Sequence, residues 1–151
     1  MLLIERASSN VAPGEIMTIL VGYSPSPEGK AAVEFGIEQA RAFDDVLVVL
    51  NAGIGETPDE RGVATSKDIE ELKETLKSSE VSHEILQFLR GNDPVEELLA
   101  LAEATADTRM IVIGSRRRSP VGKLIMGSTA QRIILDSDVP VVSVKVDRRK
   151  K

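Results

Sequence analysis

The sequence predicts an α/β domain, a five-stranded parallel sheet with helices on both faces. Short apolar runs alternate with amphipathic helical stretches along most of the chain, which is the pattern of strands joined by right-handed crossovers. The runs are apolar at consecutive positions rather than at every second one, as strands buried on both faces require. Between run and helix stand capping pairs, Ser26-Pro27 and Asp93-Pro94, in the order that ends a strand and starts a helix.

Taken in order, residues 1–15 read as an arm that ends in Ala12-Pro13-Gly14. The domain then spans 16–146, and a basic tail fills 147–151. Ile16–Gly22 is the first buried strand. Ser26 caps the helix that follows, Pro27 takes its first position and Glu28 complements its dipole. That helix runs to about Phe43, with Val33, Gly36, Ile37, Ala40 and Phe43 at helical spacing on one face. Asp45–Leu50 is the second strand. A polar loop from Gly53 to Ser66 leads to a helix over Lys67–Ser78 with Ile69, Leu72 and Leu76 inward, its outer charges read as a solvated face. Val81–Leu89 is the third strand. Asp93 and Pro94 open a helix that buries Val95, Leu98, Leu99 and Ala102. Met110–Ile113 is the fourth strand and Pro140–Val146 the last.

Composition narrows the class. With 151 residues one domain is expected, long enough for a real core. The chain has no cysteine, which removes disulfides, thiolate metal sites and cysteine catalysis together. Its net charge of −5 at pH 7 argues against nucleic acid as a partner, and 3% aromatics leave no stacking platform for single strands. No apolar run approaches the roughly 20 residues of a membrane span, so no membrane partner is expected. Met1-Leu2-Leu3-Ile4 meets Glu5-Arg6 too soon for a signal peptide. A cytoplasmic protein is the expectation.

In open parallel sheets ligands bind outside the carboxyl ends of the strands, at the switch point of the strand order. The loops Gly22–Ser26, Asn51–Gly53 and Gly114–Ser128 lie on that edge. The stretch Arg109–Ile134 is the densest of them. A buried strand ends at Gly114, a loop with Arg116, Arg117 and Arg118 follows, and a helix starts at Ser128-Thr129 with Ala130, Ile133 and Ile134 on one face. Free N–H groups and the positive end of a helix dipole make such a place an anion site. On spacing alone, an ordinary connection with solvated arginines stands equally open.

Other motifs fail. Val121-Gly122-Lys123-Leu124 resembles the end of a P-loop, but residue 117 is Arg where Gly is needed and Leu124 offers no hydroxyl for Mg²⁺. Gly53-Ile54-Gly55 begins a dinucleotide fingerprint that Pro58 breaks. His83 is the single histidine, in an alternating strand, and reads as a surface or edge residue. Asp44-Asp45 fit a polar turn. No catalytic constellation and no metal site emerges.

From Gly114 onward the chain resembles the universal stress protein family. Nucleotide-binding members carry Gly, two residues, Gly, nine residues, Gly, then Ser or Thr. Gly114, Gly127 and Ser128 take three of these places, while the second glycine falls on Arg117. The flanks Met110–Ile113, Thr129–Ile134 and Asp138–Val144 also look like the family, and the resemblance covers about Ile16–Val146. It implies a Rossmann-like fold of the adenine nucleotide alpha hydrolase-like kind. It also implies a site for ATP or a related adenine nucleotide, with Mg²⁺ at the phosphates. The phosphates would meet Gly127, Ser128 and Thr129, and Gly114 would let ribose and phosphate approach. The base would be held through the backbone at about Asn51, and the nucleoside would contact Gly22, Tyr23 and Ser24. Ser24 stands where the family typically has Asp, and an inward Arg117 would either fill the site or pair with phosphate oxygens. The resemblance further implies a homodimer joined through Pro140–Val146, which would otherwise leave an apolar edge, unless the arm at Leu2–Ile4 covers it. With no general base or metal pair in view, hydrolysis is expected to be slow or absent. A nucleotide-independent dimeric module acting on protein partners is the alternative. An enzyme of the wider hydrolase-like group would need an acid or a catalytic lysine in the cleft, for which Lys123 is the candidate.

Overall fold

The computed structural model describes residues 16–53, 62–89, 91–115 and 127–146. The arm at 1–15, the tail at 147–151 and the loop residues Arg116, Arg117, Arg118 and Lys123 lie outside them.

Among the described residues nine elements alternate: β1 (Thr18–Gly22), α1 (Pro27–Phe43), β2 (Val46–Ala52), α2 (Ser66–Ser79), β3 (His83–Phe88), α3 (Pro94–Ala104), β4 (Thr108–Ser115), α4 (Ser128–Asp136) and β5 (Val141–Lys145). All strand pairs are parallel. The order across the sheet is β3-β2-β1-β4-β5. From β1 the chain therefore steps outward to β2 and β3, then returns to β4 and steps outward the other way. The switch point falls between β1 and β4.

Successive strand residues point to opposite faces. On one face Ile19, Val21, Leu47 and Val49 pack with Val33, Ile37 and Ala40 of α1 and Leu72 and Leu76 of α2. On the other, Leu20, Val48, Leu50, Ile111 and Ile113 pack with Val95 and Leu98 of α3 and Ala130 and Ile133 of α4. Both faces are covered, which is why β1, β2 and β4 carry consecutive apolar residues rather than alternating ones.

Three sequence expectations shift. Phe43 is 46% exposed rather than inward. The helix ends there, Asp44 turns into the left-handed region (φ 56°), and the Arg109 guanidinium lies over the Phe43 ring at 4.0 Å. In α4 Ala130 and Ile133 occupy the inward face, so Ile134, a step of 100° further round, is 39% exposed. The fourth strand does not stop at Gly114. It continues to Ser115, paired with Lys145 of β5.

At the opposite edge from the switch-point cleft, Asp45 is buried. Its carboxylate accepts from the Met17 N–H (3.0 Å) and pairs with Arg109. That one carboxylate ties the entrance of β1, the start of β2 and the start of β4. His83 begins β3, an edge strand, with Nδ1 2.8 Å from the Val81 carbonyl oxygen.

Candidate functional site

A cleft of about 540 Å³ opens at the carboxyl edge between β1 and β4. The end of β1 and the turn after it contribute Gly22, Tyr23 and Ser24, and the end of β2 contributes Leu50 and Ala52. The end of β4 brings Ile113, Gly114 and Ser115, and Gly62 adds the outer wall. The first turns of α3 and α4 face one another across it, Pro94 and Val95 against Gly127, Ser128 and Thr129. The fold thus gathers seven of the residues the sequence singles out: Gly22, Tyr23, Ser24, Gly114, Gly127, Ser128 and Thr129. Arg117 lies outside the described residues.

Asn51 is the exception. Its side chain is fully buried and it does not line the cleft. Along a strand, backbone groups alternate sides. Leu47 N–H donates to Ser82 on the β3 side, while Val46 N–H donates to Met17 on the β1 side. Asn51 follows Leu47 by an even count, so its backbone faces β3, with Gln87 as its register partner. Ala52 follows Val46, so its backbone faces the cleft side. The residue expected to present its backbone there is one position further on.

The helix N-termini differ in how they are closed. In α1 the Gly29 N–H donates to Ser26 Oγ (3.0 Å). In α2 Thr65 and Asp68 form a reciprocal capping box, and in α3 the Val95 N–H donates to Asp93 Oδ1 (2.8 Å). The cap of α4 is Gly127, which offers no side-chain acceptor. Its first N–H groups, at Ser128 and Thr129, are among those a helix cannot satisfy internally, and they stand at the cleft.

The two glycines of the loop are not equivalent. A Cβ on Gly114 would sit 2.3 Å from the Glu28 carbonyl oxygen, so its missing side chain lets the first turn of α1 pack on the end of β4. The resemblance assigns Gly114 to ligand approach, and the structure adds this packing reason. Gly127 has φ −62°, ordinary for any residue, and a Cβ there would meet nothing within 4 Å. Nothing in the described protein needs a glycine at that place. Its bareness opens space at the mouth of the cleft.

Ser24 Oγ lies 3.0 Å from Ser26 Oγ and so joins the α1 cap. Tyr23 is buried, and burial first, then the charges of Asp68 and Glu71, push its phenol above the ordinary value of 10.0. It stays neutral at physiological pH. Arg132 donates to Asp93 Oδ2 (2.8 Å), which ties α4 to the cap of α3. The Asp93 carboxyl is held below the usual range, chiefly by that Arg132 hydrogen bond.

The described lining offers hydroxyls, helix-start N–H groups and an apolar floor built from Leu50, Val95, Leu98, Ile113, Ala130 and Ile133. Such a cleft suits a molecule with an anionic end and a flat, weakly polar body. Among the described residues no group of His, Asp and Glu is placed to hold a metal ion. Sequence reasoning missed Ala52, Gly62 and the α3 wall. Asp93-Pro94 signalled a helix start, but only the return of the chain across the sheet brings that start to the cleft.

Comparison with known proteins gives a consistent set of matches. A family model described as the universal stress protein family matches residues 15–145. A universal stress protein of Mycolicibacterium smegmatis is 44% identical over 127 residues, spanning 84% of this chain and 96% of that one. Among solved structures, a universal stress protein from Archaeoglobus fulgidus superposes with a TM-score of 0.65 at 32% identity, covering 85% of this chain and 98% of that one. A second structure from the same organism, in complex with dAMP, gives 0.61 at 27% identity over 87% and 99% of the two chains.

Proposed function

Because the chain belongs to the universal stress protein family, we propose that its cleft binds an adenine nucleotide, ATP or a related one. The phosphates lie at the start of α4 and the base lies toward the end of β2. The observation that carries this reading is the N-terminus of α4, which has no side-chain cap and opens into the cleft beside a glycine with empty space around it. The helix-start N–H groups at Ser128 and Thr129 are exposed and have no intrahelical partner, and an anionic ligand supplies one. The Archaeoglobus fulgidus protein seen with dAMP supports the ligand class. Mg²⁺, where it accompanies the nucleotide, rides on the phosphates. The protein acts as a nucleotide-binding protein with little or no hydrolysis, cytoplasmic and part of a stress response.

Titration calorimetry of nucleotide-stripped protein with ATP and Mg²⁺, beside AMP and GTP, tests the reading. Saturable binding with Kd on the order of micromolar is expected. No heat and no thermal stabilisation at millimolar ATP would remove it.

The same reading includes a homodimer through the Pro140–Val146 segment. β5 is an edge strand, and Leu135 at the end of the adjacent α4 is 81% exposed. Exposed edges and exposed apolar side chains call for a cover. Light scattering should return twice the 16.3 kDa chain mass, and Ser143→Pro, which removes an N–H on the side of β5 that faces away from β4, should return the chain mass. A nucleotide-independent dimer acting on protein partners is the second reading, favoured by that same exposed edge if the titration is silent.

A further inference from the structure

Asn51 is the most completely satisfied polar side chain in the described structure, yet it sits one residue from a cleft it does not line. Its Nδ2 donates to the Tyr23 carbonyl (2.9 Å) and to the Gly62 carbonyl (2.8 Å). Its Oδ1 accepts from the Ala64 N–H (3.0 Å) and from Gln87 Nε2 (3.0 Å). Both amide donors and both oxygen lone pairs are used. The orientation is therefore unambiguous, because a flipped amide would set its oxygen against two carbonyls.

The Tyr23 carbonyl is the informative partner. In a parallel ladder a residue donates to one neighbour on the facing strand and accepts from the next but one. Tyr23 N–H donates to the Leu50 carbonyl (2.8 Å), so a continued ladder would have the Tyr23 carbonyl accept from the Ala52 N–H. Asn51 takes that carbonyl instead. The next bond would run from residue 25 to the Ala52 carbonyl. Residue 25 is proline and has no N–H to give. Both polar backbone groups of Ala52 on the β1 side are thus released where Ala52 lines the cleft.

We propose that Asn51 is a positioning residue: by diverting the Tyr23 carbonyl it ends the β1–β2 ladder early and leaves the N–H and C=O of Ala52 open to the cleft, as a donor–acceptor pair for the edge of a heterocyclic base. The proposal rests on the nucleotide reading for its ligand but not for its geometry. The two ends of the cleft are those of the nucleotide reading, and the geometry adds the side chain that keeps the base end open. The α4 start holds the anion, and the Ala52 backbone reads a base that carries an acceptor and a donor side by side. The same side chain fixes Gly62 on the outer wall, so wall and base edge are set by one amide.

The test joins two measurements on full-length protein, wild type and Asn51→Ala. The first is amide hydrogen exchange without ligand, read at single residues by NMR. The wild-type Ala52 amide should exchange about ten-fold or more faster than that of Leu50, which lies within the β1–β2 ladder. In Asn51→Ala the freed Tyr23 carbonyl accepts from Ala52, and its exchange should slow. The second is affinity for AMP against ribose 5-phosphate, which keeps the anion and lacks the base. Asn51→Ala should lose about ten-fold for AMP and keep its affinity for ribose 5-phosphate. Asn51→Asp, of equal size but unable to donate to Tyr23, should lose AMP affinity in the same selective way.

An Ala52 amide as protected as Leu50 in the free wild type would overturn the proposal. So would a parallel loss of AMP and ribose 5-phosphate affinity, because a merely structural amide would weaken both. A wild type that shows the open Ala52 amide, closed by Asn51→Ala, but binds no AMP would sink the nucleotide reading and leave the broken ladder standing.

Discussion

Gly114→Ala places a methyl group 2.3 Å from the Glu28 carbonyl oxygen, and backbone cannot move aside as a flexible side chain can. We expect overpacking to cost about 1–3 kcal/mol, read as a lowered denaturation midpoint. Gly127→Val meets no atom within 4 Å. Its midpoint should stay within about 0.5 kcal/mol of wild type, while nucleotide binding is lost because the branched side chain occupies the mouth of the cleft. A Gly127→Val protein that binds normally would put the phosphates elsewhere. The spacing of the two glycines was legible in the sequence, but their different duties were not. Nothing in the loop shows that the first turn of α1 comes to rest on Gly114, since that contact joins residues far apart in the chain. Tyr23 is the single tyrosine in a chain without tryptophan, so tyrosinate absorbance reports on it alone. Its midpoint should lie above 10.0, as burial raises it. The stability linked to the neutral phenol is present in full below the unfolded value and is lost as pH rises through the folded one. A midpoint at or below 10.0 would show the ring to be solvated.

At the scale of elements, the caps made helix starts readable. Ser26-Pro27 and Asp93-Pro94 mark α1 and α3 at the residues where the helices begin. Inward faces were harder to read at helix ends, where Phe43 and Ile134 both turn out exposed. An apolar residue in a last turn satisfies the helical spacing whether or not a sheet remains beneath it. The α3 cap also anchors α4, through Arg132 on Asp93. Asp93→Ala should cost about 1 kcal/mol of cap and should loosen α4 enough to weaken nucleotide binding. Because the Arg132 hydrogen bond holds the Asp93 carboxyl low, the folded chain takes up its proton less readily than the unfolded chain. The stabilisation is present above the unfolded carboxylate range and fades as pH falls through the folded value. The stability gap between wild type and Asp93→Asn should therefore narrow on acidification. A gap that widens would mean that the carboxylate is not the stabilising form.

For the whole molecule, the parallel sheet was legible because strands buried on both faces carry consecutive apolar residues, as Ile19–Val21 of β1, Val46–Leu50 of β2 and Met110–Ile113 of β4 do. The strand order was not, since apolar runs do not state their neighbours. The order decides everything about the site, because it places β1 beside β4 and makes their ends the switch point. Asp45 shows the same limit. Its sequence neighbour Asp44 suggested a polar turn, yet Asp45 is buried and holds Met17 and Arg109 at the entrance of three strands. Arg109→Ala leaves that carboxylate buried without its partner, and we expect a loss of about 3 kcal/mol in the unfolding free energy. A loss under about 0.5 kcal/mol would show that solvent reaches the carboxylate and replaces the guanidinium.

The cleft floor consists of Leu50, Val95, Leu98, Ile113, Ala130 and Ile133, all members of one of the two core clusters. Those side chains are already buried, and an occupant resting on them covers the remaining apolar surface that the cleft shows to water. Its arrival removes apolar surface from solvent, so the heat capacity of the complex must fall below that of its separated parts. The binding enthalpy then grows more favourable with each degree of warming, and the melting temperature climbs with ligand concentration. Heat alone would make this protein a different receptor at different temperatures.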